Sequence, residues 1–180
     1  MTTMLSDHFS QEEATQSSTA IRSGIDNAPD DQQLANMKVQ AAGMELVRTA
    51  LDNHPIHIDS WLRVEALEKL LTRLDFLRWC KEHDHDETDP ASWTTYFLLK
   101  AHPQGFGTDF FCPEFGTPDE IVEKIRASGI KVDQCIMEGV TPQGKGWVHV
   151  SFAPEMRGEF MVATFKDGAP EYTKLEEKTS

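Results

Sequence analysis

Cysteine is scarce in this chain. The 180 residues contain three, Cys80, Cys112 and Cys135, an odd number at wide spacing with no close pair. That pattern excludes a disulfide framework of the kind that staples small secreted domains, and it excludes a cysteine-ligated zinc site, which needs neighbouring thiols. The thiols are expected to be buried or half-buried in a reducing compartment. Positive charge is also short: 17 Lys and Arg face 30 Asp and Glu, a formal net charge of −13. A surface of that sign repels phosphates and anionic membranes, so nucleic-acid binding and adsorption to acidic lipid are set aside. No run reaches the roughly 18 apolar residues that span a bilayer, so membrane insertion is not expected. The opening MTTMLSDHFSQEEA has neither a basic start nor an apolar stretch. It predicts cytoplasmic synthesis without a signal peptide.

Hydrophobic residues make up 39% of the chain, enough for a core in one domain over residues 1–180. Ser10 with Glu13 three residues on is a helix-capping pattern within an N-terminal arm and helix over residues 1–30. Leu34, Met37, Ala41, Met44, Val47 and Leu51 recur at helical steps and predict a helix over 31–53 with one apolar face. Ile56–Ser60 alternates and reads as a strand, and a second helical pattern runs from about Val64 to Lys81. Residues 82–92 read as a polar loop, followed by a short apolar stretch. TPDEIVEKIRASG is a marked helix, with Thr117 as cap, Pro118 at its first position and Gly129 at its end. Residues 130–137, 147–152 and 159–165 read as strands, and the polar tail over 167–180 as flexible. Helices come first and strands mostly last, which predicts an α+β fold: a small antiparallel sheet with helices packed on it.

Three residues carry the chemistry. A catalytic zinc site takes about three N or O ligands and leaves one position for water. His102, Asp109 and His149 meet that need. His102 and Asp109 are seven residues apart, too far for one helical face broken by glycines, so a loop followed by a strand is expected to bring them together. Gly105 and Gly107 between them suit close backbone approach. His149 lies in WVHVS, where Trp147 and His149 share one strand face and Val148 and Val150 the other. His83, Asp84, His85 and Asp86 form a second His/Asp run, read as a solvated loop because nothing else in the chain supplies convergent ligands. His8, His54 and His57 carry no functional argument.

Lys100–Asp109, KAHPQGFGTD, resembles the S-x-H-x-x-G-x-A-x-D metal motif of the zinc D-Ala-D-Ala carboxypeptidases and L-alanyl-D-glutamate endopeptidases, a family that includes phage lysis enzymes. WVHVSF is similar to the family's later W-x-H segment. LSDHFSQEEA and GIDNAP resemble the N-terminal segment of one branch, IDSWLR its S-G-Y-R segment, and VDQCIME its D-Q-x-I-x-E strand, so the resemblance covers most of residues 5–165. Lys100 stands where the family has Ser, Gly107 where it has Ala and Trp61 where it has Gly. About twenty extra residues lie between Arg63 and His102.

The resemblance implies a Hedgehog/DD-peptidase-like fold with Zn2+ held at the sheet by His102, Asp109 and His149. It implies hydrolysis of an amide bond in bacterial peptidoglycan stem peptides, by an endolysin-like enzyme acting as a monomer on the cell wall after release. In many relatives the proton-handling carboxylate lies three positions before the last His. Here that position is Gly146, so Glu138 is the candidate general base, ahead of Asp133 and Glu155. Arg63, matching the family's arginine, is expected to bind a substrate carboxylate or the developing oxyanion, with Ser60 and Gln104 as further substrate-binding positions. The alternative is a phage structural or wall-binding module that keeps fold and zinc without turnover.

Overall fold

A computed structural model describes residues 2–176 of the chain. Short helices α1 (Gln11–Thr15) and α2 (Ser18–Ser23) open it, the first capped by the Ser10 side chain as the sequence predicts. The long helix α3 (Asp31–Ala50) starts with a full capping box between Asp30 and Gln33, which satisfies two otherwise free amides. Its predicted stripe of Met37, Ala41, Met44 and Val47 is buried. Strand β1 (His57–Ser60) follows, then helices α4 (Glu65–Leu71), α5 (Arg73–Glu82), α6 (Pro90–Leu98) and α7 (Ala101–Gln104). Strand β2 (Gly107–Phe111) precedes α8 (Pro118–Ser128), and β3 (Gln134–Glu138), β4 (Trp147–Ser151), β5 (Glu159–Lys166) and β6 (Ala169–Lys174) complete the fold. α8 has the expected Thr117 cap, Pro118 at its start and a left-handed Gly129 at its end.

The strands form one sheet in the order β1-β2-β4-β3-β5-β6. All pairs are antiparallel except β3 with β5, which run parallel, so the sheet is mixed rather than wholly antiparallel. The two-residue period of the strands divides the sheet cleanly. Phe110, Cys135, Met137, Val148 and Val150 enter the main core with the apolar faces of α3 and α8. Asp109, Gln134, Ile136, Glu138, Trp147 and His149 lie on the opposite face and line a cleft.

Three elements differ from the sequence reading. The helix expected over Val64–Lys81 breaks at Thr72, where φ is −111°. The β-branched Thr72 turns its hydroxyl back onto the Glu68 carbonyl at 2.8 Å, a bond that bends helices. Leu70, Leu71 and Leu74, read as part of its apolar face, are exposed. The apolar stretch before Lys100 is helix α6, capped by Asp89 with Pro90 at its first position. Residues 169–174 of the expected flexible tail pair with β5 as strand β6, and residues 177–180 of that tail lie outside the described residues.

Candidate metal centre and cleft

The sheet register brings the ligand candidates together. Asp109 of β2 stands opposite His149 of β4, and His149 stands opposite Ile136 of β3. On the other side a bulge between Ile58 and Ser60 slips the register so that Ser60 stands opposite Asp109. Such a bulge re-aims a strand next to a site. His102 arrives from α7, a single turn rather than the expected loop, which ends at a left-handed Gly105. Gly107 then begins β2 under the imidazoles. A Cβ there would lie 2.9 Å from His149 Cε1 and 2.9 Å from the His102 amide nitrogen, so no side chain fits.

Asp109 Oδ1 lies 3.0 Å from His102 Nε2 and 2.9 Å from His149 Nδ1. One ligand atom from each residue lies within 4.8 Å of the others, and all three side chains are buried. This group can hold a metal ion. Zinc–ligand bonds of about 2.0–2.1 Å in a tetrahedron separate ligand atoms by roughly 3.3 Å, close to the two spacings that Asp109 Oδ1 makes with the imidazoles. The outer nitrogen of His102 is also fixed: Nδ1 donates to the Trp61 carbonyl at 2.6 Å, which selects the tautomer that leaves Nε2 with its lone pair toward Asp109. Trp61 holds the same turn a second time, its indole Nε1 donating to the Gly105 carbonyl at 3.0 Å.

Electrostatics polarise the group. Burial and the Arg63 guanidinium lower the His102 pKa to about 4 against the pull of Asp109. Burial opposes ionisation of Asp109, yet His102, Arg63 and the His149 hydrogen bond hold its carboxyl well below the usual range. Burial would lower His149 too, but the hydrogen bond and charge of Asp109, with the charge of Glu138, raise it.

Around this group the cleft has a volume of about 440 Å³. Glu138 lines it on the same sheet face as His149, its Oε2 accepting from Trp147 Nε1 at 3.1 Å. Burial, reinforced by the charge of Asp109, raises the Glu138 carboxyl above the ordinary value, with His149, Arg63 and the Trp147 bond opposing. Arg63 also lines the cleft. Its Nη2 lies 2.5 Å from Asp109 Oδ2 and its Nε donates to Ser60 Oγ at 2.9 Å. Ser60 thus touches Arg63 rather than the cleft. The structure does not bring Gln104 to the cleft either: its amide reaches toward the Phe97 carbonyl at 3.4 Å, and its backbone carbonyl takes the Asn36 side chain.

The other sequence candidates separate from the site. Asp133 is fully buried, with Arg157 Nε at 2.8 Å, Arg157 Nη2 at 2.7 Å and Ser151 Oγ at 3.1 Å, an ion pair that pins β3 to the β4–β5 connection. Glu155 is exposed and outside the cleft lining. His83 and His85 stack on Trp79, and the His83–Asp86 run forms no metal-holding group among the described residues. His8 pairs with Glu45, His54 approaches Glu114 and His57 stacks on Phe111.

Two supporting residues escaped the sequence reading. Gln40 sits among the apolar residues of α3 and is fully buried. Its amide donates to Thr108 Oγ1 and the Val150 carbonyl and accepts from the Phe152 amide, tying α3 to both ligand-bearing strands. A glutamine one step from Ala41 on an apolar stripe is the signal that marks it. Asn27 bonds the Thr15 and Leu62 carbonyls and receives the Val64 amide, which fixes the segment that presents Arg63. No family model and no curated protein matches the chain, so the site is read from its own geometry.

Proposed function

We propose that this chain is a zinc-dependent peptidase that hydrolyses an amide bond in bacterial peptidoglycan stem peptides. The observation that carries this reading is the convergence of buried His102, Asp109 and His149 at the base of an open cleft that also presents Glu138 and Arg63. Two imidazoles and one carboxylate form a hydrolytic zinc donor set with a position to spare, whereas structural zinc sites close with four protein ligands. His102, Asp109 and His149 would hold the zinc, which when bound would supply hydroxide near neutral pH and Lewis-acid polarisation of a carbonyl. The substrate class comes from the resemblance to the D-Ala-D-Ala carboxypeptidase and L-alanyl-D-glutamate endopeptidase family.

The chain's own groups divide the remaining work. Glu138 accepts the proton of the attacking water and passes it to the leaving amine. Its raised pKa suits both halves of that transfer, because a carboxyl tuned upward is a stronger base and can return the proton. The Trp147 indole keeps one oxygen in place, leaving the other for the water. Position 146 cannot take this role. Its φ is +150°, and a Cβ would lie 2.7 Å from the Glu138 carbonyl oxygen. Arg63 uses Nη2 and Nε on Asp109 and Ser60, while Nη1 has no protein partner among the described residues and serves the substrate carboxylate or the oxyanion. Arg63→Ala is expected to lower kcat/KM strongly with a smaller effect on metal content.

Metal analysis of the purified protein, paired with mass analysis of cell wall digested with and without a chelator, tests the reading. The expected result is about one zinc per chain and chelator-sensitive release of peptides whose new termini report the bond cut. Zinc without any cleavage would favour the second reading, a wall-binding module that keeps the fold. The glycine at position 146, where many members of the resembled family carry the base, is the observation that favours it.

A further inference from the structure

The wall of the cleft opposite the sheet carries an acid for which the mechanism above has no use. Glu68 of α4 is 1% exposed, and its Oε2 has no hydrogen-bond partner among the described residues. It nevertheless lines the cleft, together with Asp75, Lys100, Arg63 and the metal group. Buried carboxylates are normally paired, and an unpaired one costs stability. Neither neighbouring cation hydrogen-bonds Glu68 among the described residues. Lys100 Nζ is 2.6 Å from Asp75 Oδ2 and lies over the Tyr96 ring at 4.4 Å. Arg63 is bonded to Asp109 and Ser60. Asp75 is doubly engaged, since Tyr96 also donates to its Oδ2. Burial pushes the Glu68 carboxyl up, with Arg63 and Lys100 pulling it back and the charges of Asp75 and Asp109 adding to the push.

We propose that Glu68 is the binding residue of a subsite for a primary ammonium group on the substrate. An ammonium brings three donors and a full positive charge to a carboxylate oxygen that the fold leaves unpaired, and it would keep Glu68 ionised. Glu68 lies on α4, apart from the strands that carry Asp109 and His149, so this selectivity belongs to the helical wall rather than to the sheet. The inference rests on the stem-peptide reading for its substrate. Two amines of a stem peptide have this chemistry: the side-chain amine of a diamino acid, and the α-amine of a peptide freed from its sugar.

The test uses zinc-loaded wild-type protein and Glu68→Gln with four versions of one stem peptide: both amines free, either one acetylated, or both acetylated. Acetylation of the recognised amine is expected to lower wild-type kcat/KM about tenfold or more, mainly through KM, and the identity of the sensitive amine names the source. Glu68→Gln is expected to lose the same factor on the free-amine peptide and to erase the discrimination. Equal wild-type kcat/KM for all four peptides, or discrimination that survives in Glu68→Gln, overturns the subsite. Calorimetric titration of the same peptides into Glu138→Gln and into the Glu68→Gln/Glu138→Gln double variant separates binding from turnover. If wild type cleaves none of the peptides, the proposed activity fails. Amine-dependent binding that disappears with Glu68→Gln still upholds the subsite, and binding indifferent to acetylation overturns it.

Discussion

The two sides of the cleft are built differently. The sheet side draws Asp109, Glu138 and His149 from three adjacent strands whose reverse faces are buried against α3 and α8. On the helical side, α4 to α6, the helices α5 and α6 form a small cluster of their own from Phe76, Cys80, Trp93 and Tyr96, separate from the main core. It leaves Leu70, Leu71, Leu74 and Leu98 exposed. The metal group therefore sits on the part of the molecule whose packing is continuous, and the wall on a part supported by few buried side chains. Rigid support suits groups that must hold ångström-level geometry, and a lightly supported wall suits a surface that shapes substrate choice.

That contrast can be broken most directly at the sheet. His149→Ala is expected to abolish zinc binding and activity while circular dichroism stays near wild type; retained stoichiometric zinc would remove His149 from the ligand set. Glu138→Gln is expected to keep zinc and lose about 10²–10⁴-fold in kcat. In the metal-free protein the Glu138 carboxyl should titrate above the ordinary glutamate value of about 4.3, because burial and the Asp109 charge disfavour its ionised form, as read by carboxyl NMR titration. Gly107→Ala forces a methyl against the His149 ring and the His102 amide, with an expected loss of roughly 10–100-fold in zinc affinity measured by competition with a chelator.

Proton linkage sharpens the picture of the metal group. His149 has a raised pKa in the metal-free fold, so its proton stabilises that fold at low pH, and this contribution disappears as pH rises through the raised value. His102 runs the other way: held to about 4, it costs the metal-free fold stability as pH falls from about 6.5 toward that value. Zinc binding to this group would displace the proton of His149 and not one from His102 Nε2. Affinity should therefore fall about tenfold per pH unit below the His149 pKa and level off above it, as read from titrations across that range. On the wall, Tyr96→Phe removes the hydrogen bond to Asp75 and is expected to cost about 1 kcal/mol in denaturant unfolding, with zinc affinity unchanged. A loss of zinc in that variant would show that the two sides are not independent.

The sequence makes the sheet side far more legible than the wall. Strand alternation puts His149 and Trp147 on one face, the grouping of His102, Asp109 and His149 leans on the motif resemblance, and α8 announces itself through Thr117, Pro118 and Gly129. Gln40 could not be read the same way, because its partners Thr108 and Val150 lie 68 and 110 residues away and only the folded register brings them near. The helical wall misled for a related reason. Its leucines follow a helical period, but Leu70, Leu71 and Leu74 are exposed, so period alone does not report burial. Strand β6 was hidden because its residues are polar and mostly exposed, and its pairing is carried by backbone bonds to β5. Gln104 was drawn toward substrate by its place between two motif residues, while the α7 turn aims its amide at α6.

Trp61 has a wider consequence. Its carbonyl orients the ring of His102, its indole grips the carbonyl of Gly105, and two residues later the chain delivers Arg63. The first imidazole and the guanidinium are in effect mounted on one bracket. A disturbance anywhere along it, even at the Phe9 ring that meets Trp61 edge-on, travels to both at once. Altering this stretch to change how Arg63 is presented will therefore change how His102 is presented as well.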